Sequence, residues 1–161
     1  MTPRTLGGVA ALAALALDQA SKGAVVYGLA MGGREPIVLA PFLNLALRWN
    51  QGISFSLFQQ DTTAGRMVLL GFTLATTIFL AAWLWRTHDR LAALALGAII
   101  GGALGNGVDR LIYGAVVDFL DLHALGRNFF VFNVADAAIN VGVGLLLIDA
   151  MLGARTRPEP G

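Results

Sequence analysis

Cysteine is absent from the 161 residues, which removes disulfide staples, thiolate metal sites, iron-sulfur clusters and a cysteine nucleophile in one step. Catalysis by this chain must therefore use oxygen or nitrogen groups. Charge is almost as scarce: Asp, Glu, Lys and Arg make up 13% of the residues, against roughly 25% in a soluble domain. Eleven Lys and Arg face ten Asp and Glu, for a formal net charge of +1. That balance offers neither the basic field of a nucleic-acid binder nor the acidic excess of a disordered chain, so nucleic acid is set aside as a partner. Internal repeats and low-complexity tracts are missing too, and the one linker-like stretch is the Pro-containing tail from Arg155. What fills the chain instead is apolar: 57% hydrophobic residues and 20 glycines. This is the composition of a membrane protein. The length suits a single integral membrane domain over residues 1–161, with several spans of about 20 residues each.

Nineteen uncharged residues, MVLLGFTLATTIFLAAWLW, separate Arg66 from Arg86. They end on Trp83 and Trp85, where an interfacial belt would hold them, and predict a transmembrane helix over 67–85. After a short charged connector, Leu91 to Val108 gives 18 more uncharged residues, a span over about 91–110 antiparallel to the first. Gly97, Gly101 and Gly105 recur there every fourth residue, which strips one helix face of side chains and lets a neighbouring backbone approach closely. Phe129 to Ile148 is apolar except for Asn133, Asp136 and Asn140. Spacings of three and four put these on one face of a span at about 132–150, and that face must look into protein or water. At the amino end, Leu6 to Leu17 is apolar, Asp18-Gln-Ala-Ser-Lys22 interrupts, and Gly23 to Met31 resumes. Arg4, the apolar core and small residues also fit the outline of a cleaved signal peptide. The apolar pattern continues past Lys22, however, and Asp18 and Lys22 are four apart and able to pair, which favours a retained span over about 6–30. Four spans place both termini on one side. Arginines tie at five on each side, but the tails and the 86–90 connector are shorter and so denser in charge, which predicts cytoplasmic termini.

On the outer side, Phe42–Asn50 and Ile53–Phe58 alternate polar and apolar residues about a Gln51-Gly52 turn, so a small β-hairpin element is expected over about 36–60. A second outer segment, about 111–131, reads as a loop carrying Asp118, Asp121, His123 and Arg127. It is short enough to stay packed over the mouth of the bundle. The expected fold class is an all-α membrane protein of four transmembrane helices with a small extracytoplasmic β-hairpin or sheet element.

A carboxylate at the centre of a span costs about 2.5–3.5 kcal/mol on insertion scales, so each one needs a reason. Asp109 and Arg110 close the third span, where pairing and snorkelling would satisfy both. Asp136 lies inside an apolar run with no cation at helical spacing, and Asp118 is wrapped by Ala115-Val-Val and Phe119-Leu120. If the outer segment folds over the bundle, Asp118 and Asp136 meet near the outer interface. Two carboxylates that close share one proton, which supplies a general base for water and a general acid for a carbonyl oxygen, the needs of amide hydrolysis. Competing constellations are weaker. Asp118-x-x-Asp121-x-His123 finds no second histidine, because His88 lies on the other side, so no metal is expected. Ser21, Ser54 and Ser56 have no base nearby in sequence. Gly105-Asn-Gly107-Val-Asp109 has one residue too many for the Gly-x-Gly-Asp signature of presenilin-type proteases, and no Tyr-Asp motif precedes it.

Four blocks stand in order: Leu17-Asp-Gln-Ala-Ser-Lys22; Asn44 through Asn50-Gln-Gly-Ile-Ser-Phe55-Ser; Gly101 through Asn106-Gly-Val-Asp109-Arg110 to Gly114-Ala-Val-Val-Asp118-Phe119; and Phe132-Asn133-Val-Ala-Asp136-Ala-Ala-Ile139. Together the chain resembles bacterial lipoprotein signal peptidase, also called signal peptidase II, an aspartic intramembrane protease family. The resemblance implies that Asp118 and Asp136 are the catalytic dyad. It implies that Asp18, Lys22, Asn50, Asn106, Asp109, Arg110 and Asn133 line the active site, binding substrate or supporting the dyad. It further implies cleavage of diacylglyceryl-modified prolipoproteins just before the modified lipobox cysteine, at the outer face of the bacterial cytoplasmic (inner) membrane. The working form would be a monomer among membrane lipids, with no cofactor. Departures are small: Ser21 stands where the family often has Thr, Ile53-Ser54 where it often has two alanines, and Gly107 where a larger apolar residue is usual.

A proton-coupled transporter or channel subunit is the alternative from another class, with Asp18, Asp109 and Asp136 as a relay. It needs polar groups along a whole path, yet the 67–85 span and the cytoplasmic half of the 91–110 span have no ionisable group. A purely structural membrane anchor leaves the shared Asn and Asp face unexplained.

Overall fold

Helix α1 (Pro3–Gly23) starts where the Thr2 side chain accepts a hydrogen bond from the Thr5 N–H at 3.2 Å and Pro3 fills the first turn, where no intrahelical N–H partner is needed. It runs on as a π-helical stretch over Ala24–Gly28. Helix α2 covers Thr63–Arg86, α3 Arg90–Ile112 and α4 Val134–Arg155. Asp89 caps α3 by accepting from the N–H groups of Leu91 and Ala92 at 2.7 and 2.9 Å, which holds its carboxyl below the usual range. All four helices are long and apolar enough to cross a membrane. The computed structural model describes residues 1–52, 63–124 and 127–155.

Helix α3 is the axis of the bundle. Its glycine face lies against α1: a Cβ on Gly97 would strike the Gly7 carbonyl, one on Gly101 the Ala11 carbonyl, and one on Gly105 the carboxylate of Asp18. Gly102 meets the Ala135 backbone of α4 in the same way. Small residues thus let α1 and α4 pack on α3 backbone to backbone, as the four-residue glycine spacing predicts. Leu96, fully buried, centres an apolar cluster with Leu80, Ile99 and Ile100. Apart from Leu80 and Leu84, which join that cluster, many apolar residues of α2 face outward, as lipid contact requires: Phe72 is 70% exposed and Phe79 66%.

A four-stranded antiparallel sheet covers the end of the bundle away from the termini, in the order β1 (Ile37–Ala40), β2 (Leu43–Asn50), β3 (Val116–Ala124), β4 (Arg127–Phe132). The segment expected as the first hairpin strand is β2, but its described partners are β1 and β3. The second expected strand, Ile53–Phe58, lies outside the described residues. The segment expected as an outer loop over 111–131 is mostly strand, β3 and β4. Its side chains alternate: Val117 and Phe119 point into a buried cluster with Val25 and Met31, while Asp118 faces the other way. The pairing that makes it a strand joins residues about seventy apart, such as Arg48 with Asp118 and Asn50 with Val116, and no local pattern announces such a partner. Between α3 and β3 the chain turns at Gly114, whose φ of +75° suits glycine.

Candidate active site

Where the sheet meets the bundle, three helices and two strands deliver polar side chains to one place. Helix α4 begins there with a reciprocal cap: the Asn133 side-chain oxygen accepts from the Asp136 N–H at 2.9 Å, and the Asp136 Oδ2 accepts from the Asn133 N–H at 3.2 Å. The cap fixes Asp136 in the first turn, where the helix dipole favours an anion. The amide of Asn133 then reaches outward, its Nδ2 donating to Asp118 Oδ1 at 2.7 Å and to Asn106 Oδ1 at 3.1 Å. Asn106, from α3, donates its own Nδ2 to Asp136 Oδ1 at 2.8 Å. Asn50, at the end of β2, donates to Asp118 Oδ2 at 2.9 Å, while its oxygen is held by the Gly52 N–H at 2.9 Å. Each of the two carboxylates therefore rests on two N–H donors, with lone pairs left over.

Behind this pair lies an ionic layer. Lys22, 3% exposed, places its Nζ 2.8 Å from Asp18 Oδ2, 2.7 Å from Asp109 Oδ2 and 3.0 Å from Asn106 Oδ1. Three acceptors use all three ammonium hydrogens. Asp18 also accepts from the Ala135 N–H at 2.8 Å, and Asp109 from the Val117 N–H at 3.0 Å, so this layer pins both α4 and β3 to the helices beneath. Gln19 completes it, its Nε2 lying 3.2 Å from Asp18 Oδ2, 3.0 Å from Asp109 Oδ1 and 3.2 Å from the Gly105 carbonyl.

Every site residue picked out in the sequence belongs to this one network: Asp18, Lys22, Asn50, Asn106, Asp109, Asp118, Asp136 and Asn133 by the bonds above, and Arg110 through Nη1 donating to the Asn106 carbonyl at 3.2 Å. One pairing differs. Asp109 finds its cation in Lys22, not in the adjacent Arg110, because successive residues point about 100° apart around a helix and Lys22 on α1 faces Asp109 across the interface. Gln19 was missed; a polar residue between Asp18 and Lys22 in an apolar span was its signal. Asp121 and His123 stay out of the network, on the far stretch of β3, and the described residues contain no group of three metal-capable side chains.

Burial pushes the Asp118 carboxyl above its ordinary value, and the charge of Asp136 nearby adds to the rise against the opposing donors Asn50 and Asn133. Asp118 is 3% exposed and Asp136 is half-buried. Four carboxylates here face two cations, Lys22 and Arg110, and Lys22 is taken by Asp18 and Asp109.

A family model described as signal peptidase (SPase) II matches residues 10–152. The chain is 49% identical over 150 residues to the lipoprotein signal peptidase of Beijerinckia indica subsp. indica, covering 93% of this chain and 90% of that protein. It is 50% identical over 155 residues to the lipoprotein signal peptidase of Methylocella silvestris, covering 96% and 91%. Among solved structures, a bacterial membrane enzyme determined by the in meso method at 2.3 Å superposes with a TM-score of 0.80 at 25% identity, covering 96% of this chain and 93% of that one. A second such enzyme, at 1.9 Å, gives a TM-score of 0.75 at 26% identity over 89% and 91%.

Proposed function

This chain belongs to the signal peptidase II family, and we propose that Asp118 and Asp136 are the catalytic dyad with which it acts. It is a multi-pass membrane protease that removes signal peptides from prolipoproteins. The relatives give no support to the transporter alternative. The observation that best supports the dyad is a contrast in partners: among the described residues every ion pair belongs to Lys22, so Asp118 and Asp136 are held by neutral amides and a backbone N–H alone. A carboxylate so held is free to gain and lose a proton.

The chemistry follows from one shared proton. The ionised Asp takes a proton from water as the water oxygen attacks the scissile carbonyl, and the protonated Asp gives its proton to the carbonyl oxygen. When the tetrahedral gem-diol collapses, the C–N bond breaks, the new amine takes the proton just captured, the other Asp takes back a hydroxyl proton as the product C=O forms, and the dyad is back to one proton. Asn133 and Asn106 keep the two carboxylates facing the same point throughout, while Asn50 and Arg110 hold the substrate backbone. The cut falls before the diacylglyceryl-modified cysteine, whose acyl chains stay in lipid while the amide reaches the sheet end. In this reading the sheet end lies at the outer face of the bacterial inner membrane, the termini are cytoplasmic, the enzyme works as a monomer, and no metal takes part.

The test is cleavage of a diacylated lipobox peptide by the purified protein in detergent. One cut before the modified cysteine is expected, with none by Asp118→Asn or Asp136→Asn. Near wild-type turnover by either variant would remove the dyad assignment.

A further inference from the structure

The chain has two tyrosines, and they bond to each other: the hydroxyls of Tyr27 and Tyr113 lie 2.7 Å apart. Tyr27 stands on the π-helical stretch that prolongs α1, and Tyr113 is the C-cap of α3. On Tyr113 rests Trp49 of β2, with ring centroids 5.3 Å apart and planes tilted by 59°, within the range that aromatic pairs favour. An interfacial belt would account for aromatic rings at this level, but belt side chains turn their polar tips to water and headgroups. Here one hydroxyl bonds the other, and the three rings tie α1, α3 and β2 together.

The strand end under this strap has little else to hold it. A register shift interrupts the β2–β3 pairing between Leu45 and Arg48, and a short run beyond it sets Arg48, Trp49 and Asn50 against Asp118, Val117 and Val116. Such an irregularity breaks the ladder locally and bends the strand. Strand β1 pairs with β2 only over Leu43–Leu45, so among the described residues the run beyond the shift has β3 on one side and no strand on the other. Asn50 closes the run, and its amide must aim at Asp118 Oδ2. Successive side chains of a strand point to opposite faces. With Asn50 turned to Asp118, Trp49 is turned to the face of its pairing partner Val117, where Tyr113 packs against the cluster of Val117 and Phe119. Trp49 is 48% exposed, so its burial contributes little to the bundle. What the stack fixes is the strand end that carries Asn50.

We propose that Trp49, stacked on Tyr113, is a positioning residue for the reaction: it holds the end of β2 so that the Asn50 amide stays on Asp118 while the dyad works. Trp49 acts through Asn50 and not on the reacting atoms. Tyr27 steadies the Tyr113 ring, and their bond pushes the Tyr113 phenol up to about 12, so Tyr113 stays neutral where carboxylates titrate. The inference rests on the dyad proposed above and adds a residue on which its geometry depends.

The experiment measures single-turnover cleavage of a diacylated lipobox peptide by the purified full-length protein in detergent, across pH. Trp49→Ala should lower the rate about threefold to tenfold, the range an aromatic pair can be worth, with the thermal midpoint little changed. Trp49→Phe keeps a ring on Tyr113 and should restore the rate to within about twofold of the wild type. In an Asn50→Ala background Trp49→Ala should change nothing further, because two changes that act through one contact do not add. The Trp49→Ala profile should also move to higher pH, since a donor to the ionised Asp118 is loosened, in the direction of Asn50→Ala and by less. Asp136, Lys22 and Arg110 face Asp118 from the helices and Arg48 stands opposite it on β2, and all four are unchanged in these variants. An unchanged rate, losses that add across the Trp49–Asn50 cycle, or an unshifted profile would overturn the proposal and leave Trp49 an interfacial aromatic. A Trp49→Ala protein that fails to fold would overturn it too, since Trp49 would then serve the bundle. Near wild-type cleavage by Asp118→Asn in the same assay would instead remove the dyad reading itself.

Discussion

Two pairs of aspartates lie side by side in this protein and differ in what holds them. Asp18 and Asp109 share the ammonium of Lys22 and accept backbone N–H bonds from Ala135 and Val117. Asp118 and Asp136 rest on Asn50, Asn106 and Asn133. The same residue type is held differently in the two places: a shared ammonium within 3 Å ties the first two carboxylates together across α1 and α3, while neutral amides position the other two. In the proposed reading the first pair is frame and the second is chemistry.

The largest effect should come from the second pair. Asp118→Asn or Asp136→Asn is nearly isosteric but cannot cycle a proton, so turnover should fall beyond the 10²- to 10⁴-fold typical of one acid-base group, with the thermal midpoint in detergent little changed. Loss of folded protein instead would move Asp118 or Asp136 into the frame.

The next effect tests the frame. Lys22→Met strands two buried carboxylates and should destabilise by about 3–5 kcal/mol or more, the cost of breaking a buried pair. Asp18→Asn or Asp109→Asn leaves Lys22 one anion and should cost less. Neutralising Asp18 and Lys22 together still leaves Asp109 alone, so only the triple neutral variant should regain much of the stability. Strictly additive losses in thermal unfolding would show that the three do not act as a unit.

How much of this contrast was legible in the sequence differs between its parts. Four apolar runs and the glycine spacing of Gly97, Gly101 and Gly105 give the bundle, because helical periodicity is local. Asp18 with Lys22 was legible for the same reason, four residues apart on one helix. Asp109 joining that pair was not, since the contact crosses from α3 to α1 and depends on Gly105 letting Asp18 come close. The sheet was half legible: β2 alternates visibly, but β3 becomes a strand only through its distant pairing with β2. Asp118 and Asp136 were visible as carboxylates in apolar wrappers and Asn133 by its place on the helical face of Asp136, whereas Asn50 and Asn106 were named through the family resemblance.

A smaller effect concerns protonation. Burial, and then the Asp136 charge, raise Asp118 above the ordinary carboxylate value. A raised folded-state pKa means that folding favours the proton. Its stabilisation is complete below about pH 3.9 and is lost as pH rises through the raised value. The activity profile should correspondingly extend to higher pH than an ordinary Asp permits, with macroscopic values that belong to the pair. Asn50→Ala removes a donor that favours the ionised form, so it should move the profile to higher pH and lower turnover while leaving the thermal midpoint nearly unchanged, because Asn50 is exposed. An unshifted profile would detach Asn50 from the dyad. The smallest expected effect is zero: EDTA should leave turnover as it was, and metal-dependent recovery after chelation would put the mechanism in another class.

The most direct test sets the two pairs against each other in one measurement: single-turnover cleavage of a diacylated lipobox peptide, with each reaction scaled to its folded fraction, by Asp118→Asn, Asp136→Asn and Asp109→Asn. The first two should give no product above background, and the third should keep measurable cleavage per folded molecule. Cleavage by Asp118→Asn or Asp136→Asn with none by Asp109→Asn would reverse the assignment of frame and chemistry.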